Sequence, residues 1–174
     1  VLIGRLEFGE LVYKTANACI CLMPSLNASH IVTIESLRGL DGKLHPVQKA
    51  MVEQHGSQCG FCTPGIVMSL YGAWLRSIEP TISNIEHSLQ GNLCRCTGYG
   101  PIIKAAKAVS DYGSLDNDKL VLEKSTMQNN LIQLELNRCA VGIKDNSKFM
   151  LPNSLEDLSE MLLKNPEATI VAGA

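Results

Sequence analysis

The sequence predicts a mainly α protein. Four short helices form a bundle, a β-rich stretch precedes it, and the opening of an α/β segment follows. Three observations carry this reading. Between residues 45 and 113, apolar residues recur at helical spacing in four runs, each bounded by Pro or Gly. Upstream, β-prone triplets are separated by turn residues. Downstream, a capped helix start is followed by a β-prone run.

Taken in order, Val1-Leu2-Ile3 and Leu11-Val12-Tyr13 read as strands, with Gly4 and Gly9 in the turn region between them. His30 to Ile34 is a third strand candidate, and Leu37 to Leu44 is a connection through Gly39 and Asp41-Gly42. His45-Pro46 opens the first helix, since Pro suits the first helical position; Val47, Ala50 and Met51 share its apolar face, and Gly56 stops it. The second helix starts near Pro64, with Ile66, Val67, Leu70, Tyr71 and Trp74 as its stripe, and Pro80 marks the break after it. Ser83-Asn84-Ile85-Glu86 has the capping-box pattern and should start the third helix, which Gly91 ends. The fourth opens at Pro101, buries Ile102, Ala105, Ala106 and Val109, and closes at Gly113.

Residues 113–148 lack a steady period and read as a linker, with turns at Asp116-Asn117-Asp118 and Asp145-Asn146-Ser147 and a strand candidate at Leu131 to Leu136. Ser154 caps a helix that should end near Lys164-Asn165-Pro166. Thr169 to Gly173 is a final β-prone run with nothing to pair with, as expected for a chain cut within a domain. The chain opens on Val1 rather than methionine, so a natural start upstream is expected.

The 174 residues are 45% hydrophobic and 18% charged, as in a soluble globular protein, and no apolar run is long enough to span a membrane. A net charge of −2 is too balanced to point to nucleic acid or an anionic membrane. No secretory signal is visible. Seven cysteines, four of them in tight pairs, then favour metal binding in a reducing, cytoplasmic setting over a disulfide framework.

The pairs are Cys59 and Cys62, within Gln58-Cys59-Gly60-Phe61-Cys62-Thr63-Pro64-Gly65, and Cys94 and Cys96, within Gly91-Asn92-Leu93-Cys94-Arg95-Cys96-Thr97-Gly98. A lone C-x-x-C serves zinc, thiol–disulfide exchange or iron–sulfur equally well. The second pair, with one residue between its cysteines, is shorter than the usual zinc spacing. A 2Fe–2S centre needs four thiolates, which two turns would supply, one pair at each iron. Such a centre is anionic. A helix N-terminus directly after Cys62, and another just beyond Cys96, would favour its charge. Gly60, Gly65, Gly98 and Gly100 would let the backbone bend closely around it. From residue 55 to 107, Arg76, Arg95, Lys104 and Lys107 face only Glu79 and Glu86. Three plainer readings stay open: buried core cysteines, a structural zinc site, and a redox dithiol at Cys59 and Cys62. The last leaves Cys94 and Cys96 unexplained.

The run from His45-Pro46-Val47-Gln48 through the first cysteine pair to Gly91-Asn92-Leu93-Cys94-Arg95-Cys96-Thr97-Gly98-Tyr99 resembles the all-helical 2Fe–2S domain of the molybdenum hydroxylases, and within them the xanthine dehydrogenases. The resemblance implies that Cys59, Cys62, Cys94 and Cys96 are the ligands of the cluster nearest the molybdenum cofactor. Gln58 and Cys96 would lie close to the pterin, which a partner subunit or another part of the polypeptide holds. Asn17-Ala18-Cys19 resembles the end of the family's plant-type ferredoxin domain, with Cys19 the last ligand of a second 2Fe–2S cluster whose C-x4-C-x2-C run is absent. Leu151-Pro152 onward resembles the start of the FAD domain, where Ile170, Val171, Ala172 and Gly173 would approach the flavin phosphates.

The implied fold is a four-helix 2Fe–2S-binding bundle, flanked by a β-rich remnant of a ferredoxin domain and the α/β start of an FAD-binding domain. Its divisions are 1–40 for the ferredoxin remnant, 41–112 for the helical domain, 113–148 for the linker and 149–174 for the FAD start. The implied role is the electron-transfer part of an NAD-dependent xanthine dehydrogenase, an oxidoreductase of purine catabolism. It would be a hetero-oligomer with a molybdopterin-binding large subunit or domain, and this part alone would not be catalytic. The alternatives are an aldehyde or carbon monoxide oxidising relative, or a zinc-stabilised interaction module. Cys21 and Cys139 read as incidental thiols, Trp74 as packing, Tyr99 as packing near the cluster turn, and His30, His45, His55 and His87 as caps or surface residues.

Overall fold

Three antiparallel strands lead the chain, and helices make up most of the rest. The computed structural model describes residues 1–39, 42–136, 141–142 and 148–171. Strands β1 (Leu2–Glu7) and β2 (Glu10–Thr15) form a hairpin in which Leu2 opposes Thr15 and Glu7 opposes Glu10. β3 (His30–Val32) pairs with the other edge of β1, placing Leu2 opposite Val32, so the sheet order is β2-β1-β3. The hairpin turn is Phe8-Gly9, both at positive φ. Gly4, expected in that turn, lies inside β1 instead, beneath the Tyr13 ring. The β-prone run of the first strand extends through Leu6, and two residues suffice for the reversal.

The connection after β3 forms a short 3-10 turn over Ile34–Leu37 that buries Leu37. Helix α1 (Pro46–Glu53) is capped by His45: its Nδ1 accepts the Val47 N–H at 3.2 Å, and the Gln48 side chain accepts the His45 N–H at 3.0 Å. The helix ends in a left-handed residue, His55 at φ 55°, and the Gly56 N–H reaches back to the Met51 carbonyl at 2.8 Å. α2 (Thr63–Leu75) is the central helix and buries Ile66, Val67, Met68, Leu70, Tyr71 and Gly72. A Cβ on Gly72 would meet Leu2 and Thr15, so this glycine lets α2 press directly on the sheet.

α3 (Ile82–Ser88) starts two residues earlier than expected. Thr81, not Ser83, is its cap, accepting the Asn84 N–H at 3.2 Å. Thr81 directly follows Pro80, so the helix begins as soon as the chain can turn inward. α4 (Gly100–Tyr112) buries Ile102, Ala105, Ala106 and Val109 and packs along α1. One hydrophobic core joins Leu2, Val32 and Leu37 of the leading segment to Val47, Ala50, Met51, Ile66, Leu70, Ile85, Ile102 and Val109 of the helices.

Among the described residues of 113–148 are two further α-helices, α5 (Lys119–Leu122) and α6 (Lys124–Leu136). The strand expected at Leu131 to Leu136 is the last part of α6. There Ile132, Leu134 and Leu136 are all exposed, while Leu131 is buried. α6 lies against the hairpin, where Gln128 Nε2 donates to the Gly9 carbonyl at 2.7 Å and Lys124 meets Glu10 at 3.3 Å. Val141–Gly142 (β4) pairs with Lys148–Phe149 (β5). α7 (Leu155–Lys164) is capped as expected by Ser154, which accepts the Asp157 N–H at 3.0 Å. The residues from Thr169 to Val171 form no strand. Asp145-Asn146-Ser147, Cys139, Ala172 and Gly173 lie outside the described residues.

Candidate metal centre

Two loops carry the paired cysteines, and α2 and α4 hold them in place. The first loop, Ser57 to Cys62, runs straight into α2, with Cys62 as the residue before its first turn and Pro64 within that turn. Ser57 Oγ and Thr63 Oγ1 close it with a 2.7 Å hydrogen bond. The second loop, Asn92 to Tyr99, leads into α4. Its Asn92 Nδ2 donates to Ser69 Oγ on α2 at 2.7 Å, and Asn92 Oδ1 occupies the space that a Cβ on Gly65 would fill. Gly65 is thus the contact that lets one loop seat on the other. Gly60 (φ 83°) and Gly98 (φ 65°) turn through the left-handed region, whereas Gly100, expected to share that role, neither takes positive φ nor meets a neighbour.

Tyr99 fastens the second loop. It is itself left-handed at φ 64°, its hydroxyl donates to the Asn92 carbonyl at 3.0 Å, and the same oxygen accepts the Cys94 N–H at 2.8 Å. Beyond packing near the turn, then, Tyr99 ties both ends of the loop. Thr97 was not legible in advance. Its Oγ1 lies 3.1 Å from Cys94 Sγ and accepts the Tyr99 N–H at 3.2 Å.

The four sulfurs associate across the loops rather than within them. Cys96 Sγ lies 3.5 Å from Cys59 Sγ, and the Cys62 and Cys94 thiols are near enough to shift each other's ionisation. Each association holds one thiol that ionises readily and one that resists. The Phe61 N–H and the Cys96 thiol lower Cys59, while donation to Cys59 raises Cys96. Burial, reinforced by Cys94, pushes Cys62 up to about 11; the Thr97 hydroxyl and N–H draw Cys94 down to about 7. Among the described residues, no three His, Cys, Asp or Glu side chains converge as on a single ion. Four thiols on two adjoining loops are the donor set that a binuclear centre with two thiolates per metal requires.

Cys94 is buried and Cys62 half-buried, while Cys59 and Cys96 are exposed. The same two loops carry two apolar side chains almost wholly in solvent, Phe61 at 95% and Leu93 at 82% exposure. Gln58 and Arg95 are exposed on the same loops. The other sequence-predicted residues are not brought to this centre. Cys19 is exposed in the 3-10 turn that leaves β2, and takes no part in the sulfur contacts above. Cys21 Sγ lies 3.6 Å from Ser25 Oγ. Ile170 and Val171 are exposed after α7. Trp74 packs at the edge of the core against His45, as expected of a packing residue. No helix among the described residues is long and apolar enough to cross a membrane.

Residues 33–107 match the 2Fe-2S binding domain family. Over 104 residues the chain is 47% identical to xanthine dehydrogenase/oxidase of Felis catus, covering 60% of this chain and 8% of that protein. It is 34% identical over 169 residues to xanthine dehydrogenase of Calliphora vicina, covering 95% of this chain and 12% of that one. The chain therefore spans about a tenth of the length of these relatives. The solved aldehyde oxidoreductase from Desulfovibrio gigas superposes with a TM-score of 0.51 at 25% identity, over 77% of this chain and 17% of that one.

Proposed function

We propose that this chain, which carries the iron–sulfur region of a molybdenum hydroxylase, relays single electrons from a molybdenum cofactor in a partner subunit or domain toward FAD and NAD, within a xanthine dehydrogenase. The observation that carries the proposal is the cross-loop association of Cys59 with Cys96 and of Cys62 with Cys94. When bound, a 2Fe–2S centre accepts and releases one electron at a time without bond-making chemistry. Its four ligands would be these cysteines, one from each loop at each iron, which differs from the loop-by-loop pairing expected from spacing.

The chain's own residues supply the rest. The two cysteine loops run into the N-termini of α2 and α4, helix ends that favour negative charge nearby. The loop ties through Asn92, Tyr99 and Ser57 fix the ligands before metal arrives, which limits rearrangement on electron transfer. The exposed Cys59 and Cys96, with the exposed Phe61 and Leu93 on the same loops and Gln58 next to Cys59 in sequence, would face the pterin-bearing partner. In the same reading, residues 1–40 belong to a ferredoxin-like domain, with Cys19 as a ligand of a second cluster. Residues 41–112 are the helical domain and 113–148 the linker. Residues 149–174 are the start of an FAD domain, with Ile170, Val171, Ala172 and Gly173 near the flavin phosphates.

Metal analysis of the purified chain tests the proposal. Two irons, visible absorption and an EPR signal after one-electron reduction are expected. Colourless protein holding one zinc would replace it with the interaction-module reading.

A further inference from the structure

We propose that Thr97 sets the reduction potential of the centre, by donating a hydrogen bond from its hydroxyl to the Cys94 sulfur. The inference rests on the 2Fe–2S reading above and assigns a role to a residue that is not a ligand. Thr97 Oγ1 stands 3.1 Å from Cys94 Sγ, well within reach of a sulfur acceptor. The same oxygen already accepts the Tyr99 N–H at 3.2 Å. A hydroxyl has one proton to give and two lone pairs to fill. With the backbone engaging a lone pair, the proton is left to point at the sulfur. A metal-bound thiolate has no proton of its own, so in the loaded site the oxygen can only donate.

The Cys94 N–H cannot perform this task, because the Tyr99 hydroxyl holds it at 2.8 Å. Thr97 is half-buried and Cys94 is buried, so bulk water competes poorly for the bond. Hydrogen bonds to cluster sulfurs favour the more negative, reduced state. Thr97 is thus a positioning and tuning residue for Cys94. Tyr99 fixes the geometry twice, by clamping the loop with its hydroxyl and by orienting the threonine with its N–H.

Reductive titration of the purified, iron-containing full chain, followed by the EPR signal of the reduced state, tests this in wild type, Thr97→Val and Thr97→Ser. The valine variant should keep its iron and its signal. Its reduced-to-oxidised ratio at a fixed potential should fall by about threefold to tenfold, tenfold being 59 mV for a one-electron couple. The serine variant should titrate as wild type. An unchanged midpoint in the valine variant overturns the proposal, as does a serine midpoint that falls with it. If the valine variant takes up no iron, pulsed EPR on wild type exchanged into D2O decides. A rapidly exchanging hydroxyl deuteron coupled to the reduced centre supports the bond, and its absence overturns it. Wild-type chain with no iron and no EPR signal is a separate outcome, which overturns the 2Fe–2S reading itself.

Discussion

The Tyr71 hydroxyl donates to the Asp118 carboxylate, 2.9 Å from Oδ1 and 3.1 Å from Oδ2, and so ties the central helix to the segment beyond α4. Asp118 is the sole buried charged side chain among the described residues, and it is fully partnered. His45 Nε2 lies 2.9 Å from Oδ2, and the Leu120 N–H donates to Oδ1 at 2.8 Å. Because His45 Nδ1 accepts the Val47 N–H, Nε2 is the nitrogen left to donate. One carboxylate thus joins the cap of α1, the middle of α2 and the start of α5.

Removing that carboxylate leaves three buried donors without an acceptor. Asp118→Ala should therefore cost about 3 kcal/mol of unfolding free energy, and Tyr71→Phe about 1 kcal/mol. Denaturant titration of the iron-loaded chain checks both. A loss for Asp118→Ala no larger than that for an exposed carboxylate such as Glu160 would show the network to be incidental.

Acid should weaken the same junction. Burial works to raise the Asp118 pKa, but the hydrogen bonds from His45, Tyr71 and the Leu120 N–H outweigh it and hold the carboxyl below its ordinary value. A depressed folded pKa gives stability that is complete above the unfolded value of about 3.9. That stability is lost as pH falls through the folded value. Wild type should accordingly exceed Asp118→Asn in stability at neutral pH, and the gap should narrow below about pH 4. Unfolding midpoints measured against pH for the two proteins give the answer, and parallel curves would contradict it.

Helices α1, α2 and α4, and the loops that carry the two cysteine pairs, were legible because their signals are local. Pro46, Pro64 and Pro101 mark helix starts, and the buried residues of α1, α2 and α4 fall at the predicted spacing. Asp118 was not legible. Asp116-Asn117-Asp118 reads as a solvated turn, and only the return of the chain to Tyr71, 47 residues earlier, buries its last carboxylate. α6 was misread for a related reason. Its helix has one buried residue, Leu131, so no apolar stripe betrays the period. Thr97 and Asn92 likewise act through partners that sequence distance hides or that a single hydroxyl cannot announce.

Ligand assignment has a direct test. Cys59→Ser, Cys62→Ser, Cys94→Ser and Cys96→Ser should each abolish the EPR signal of the reduced chain and loosen its fold, since metal binding couples to folding. Cys19→Ser and Cys139→Ser should leave signal and iron content unchanged in this chain. A full signal in any of the first four, or a lost one in either of the last two, would require a different ligand set.

Tyr99→Phe separates the loop clamp from the ligands. The phenylalanine ring keeps the packing but gives up the bond to the Asn92 carbonyl and leaves the Cys94 N–H without its acceptor. The centre should still form, because all four sulfurs and the Thr97 hydroxyl remain. The loop that carries Cys94 and Cys96 should open more often, at a cost of about 1–2 kcal/mol. Opening exposes metal to competitors, so an iron chelator should bleach the variant about tenfold faster than wild type, each 1.4 kcal/mol being one decade. The bleaching rate at fixed chelator concentration is the measurement. Equal rates would mean that Gly65, Asn92 and the helix ends hold the loop without the tyrosine hydroxyl.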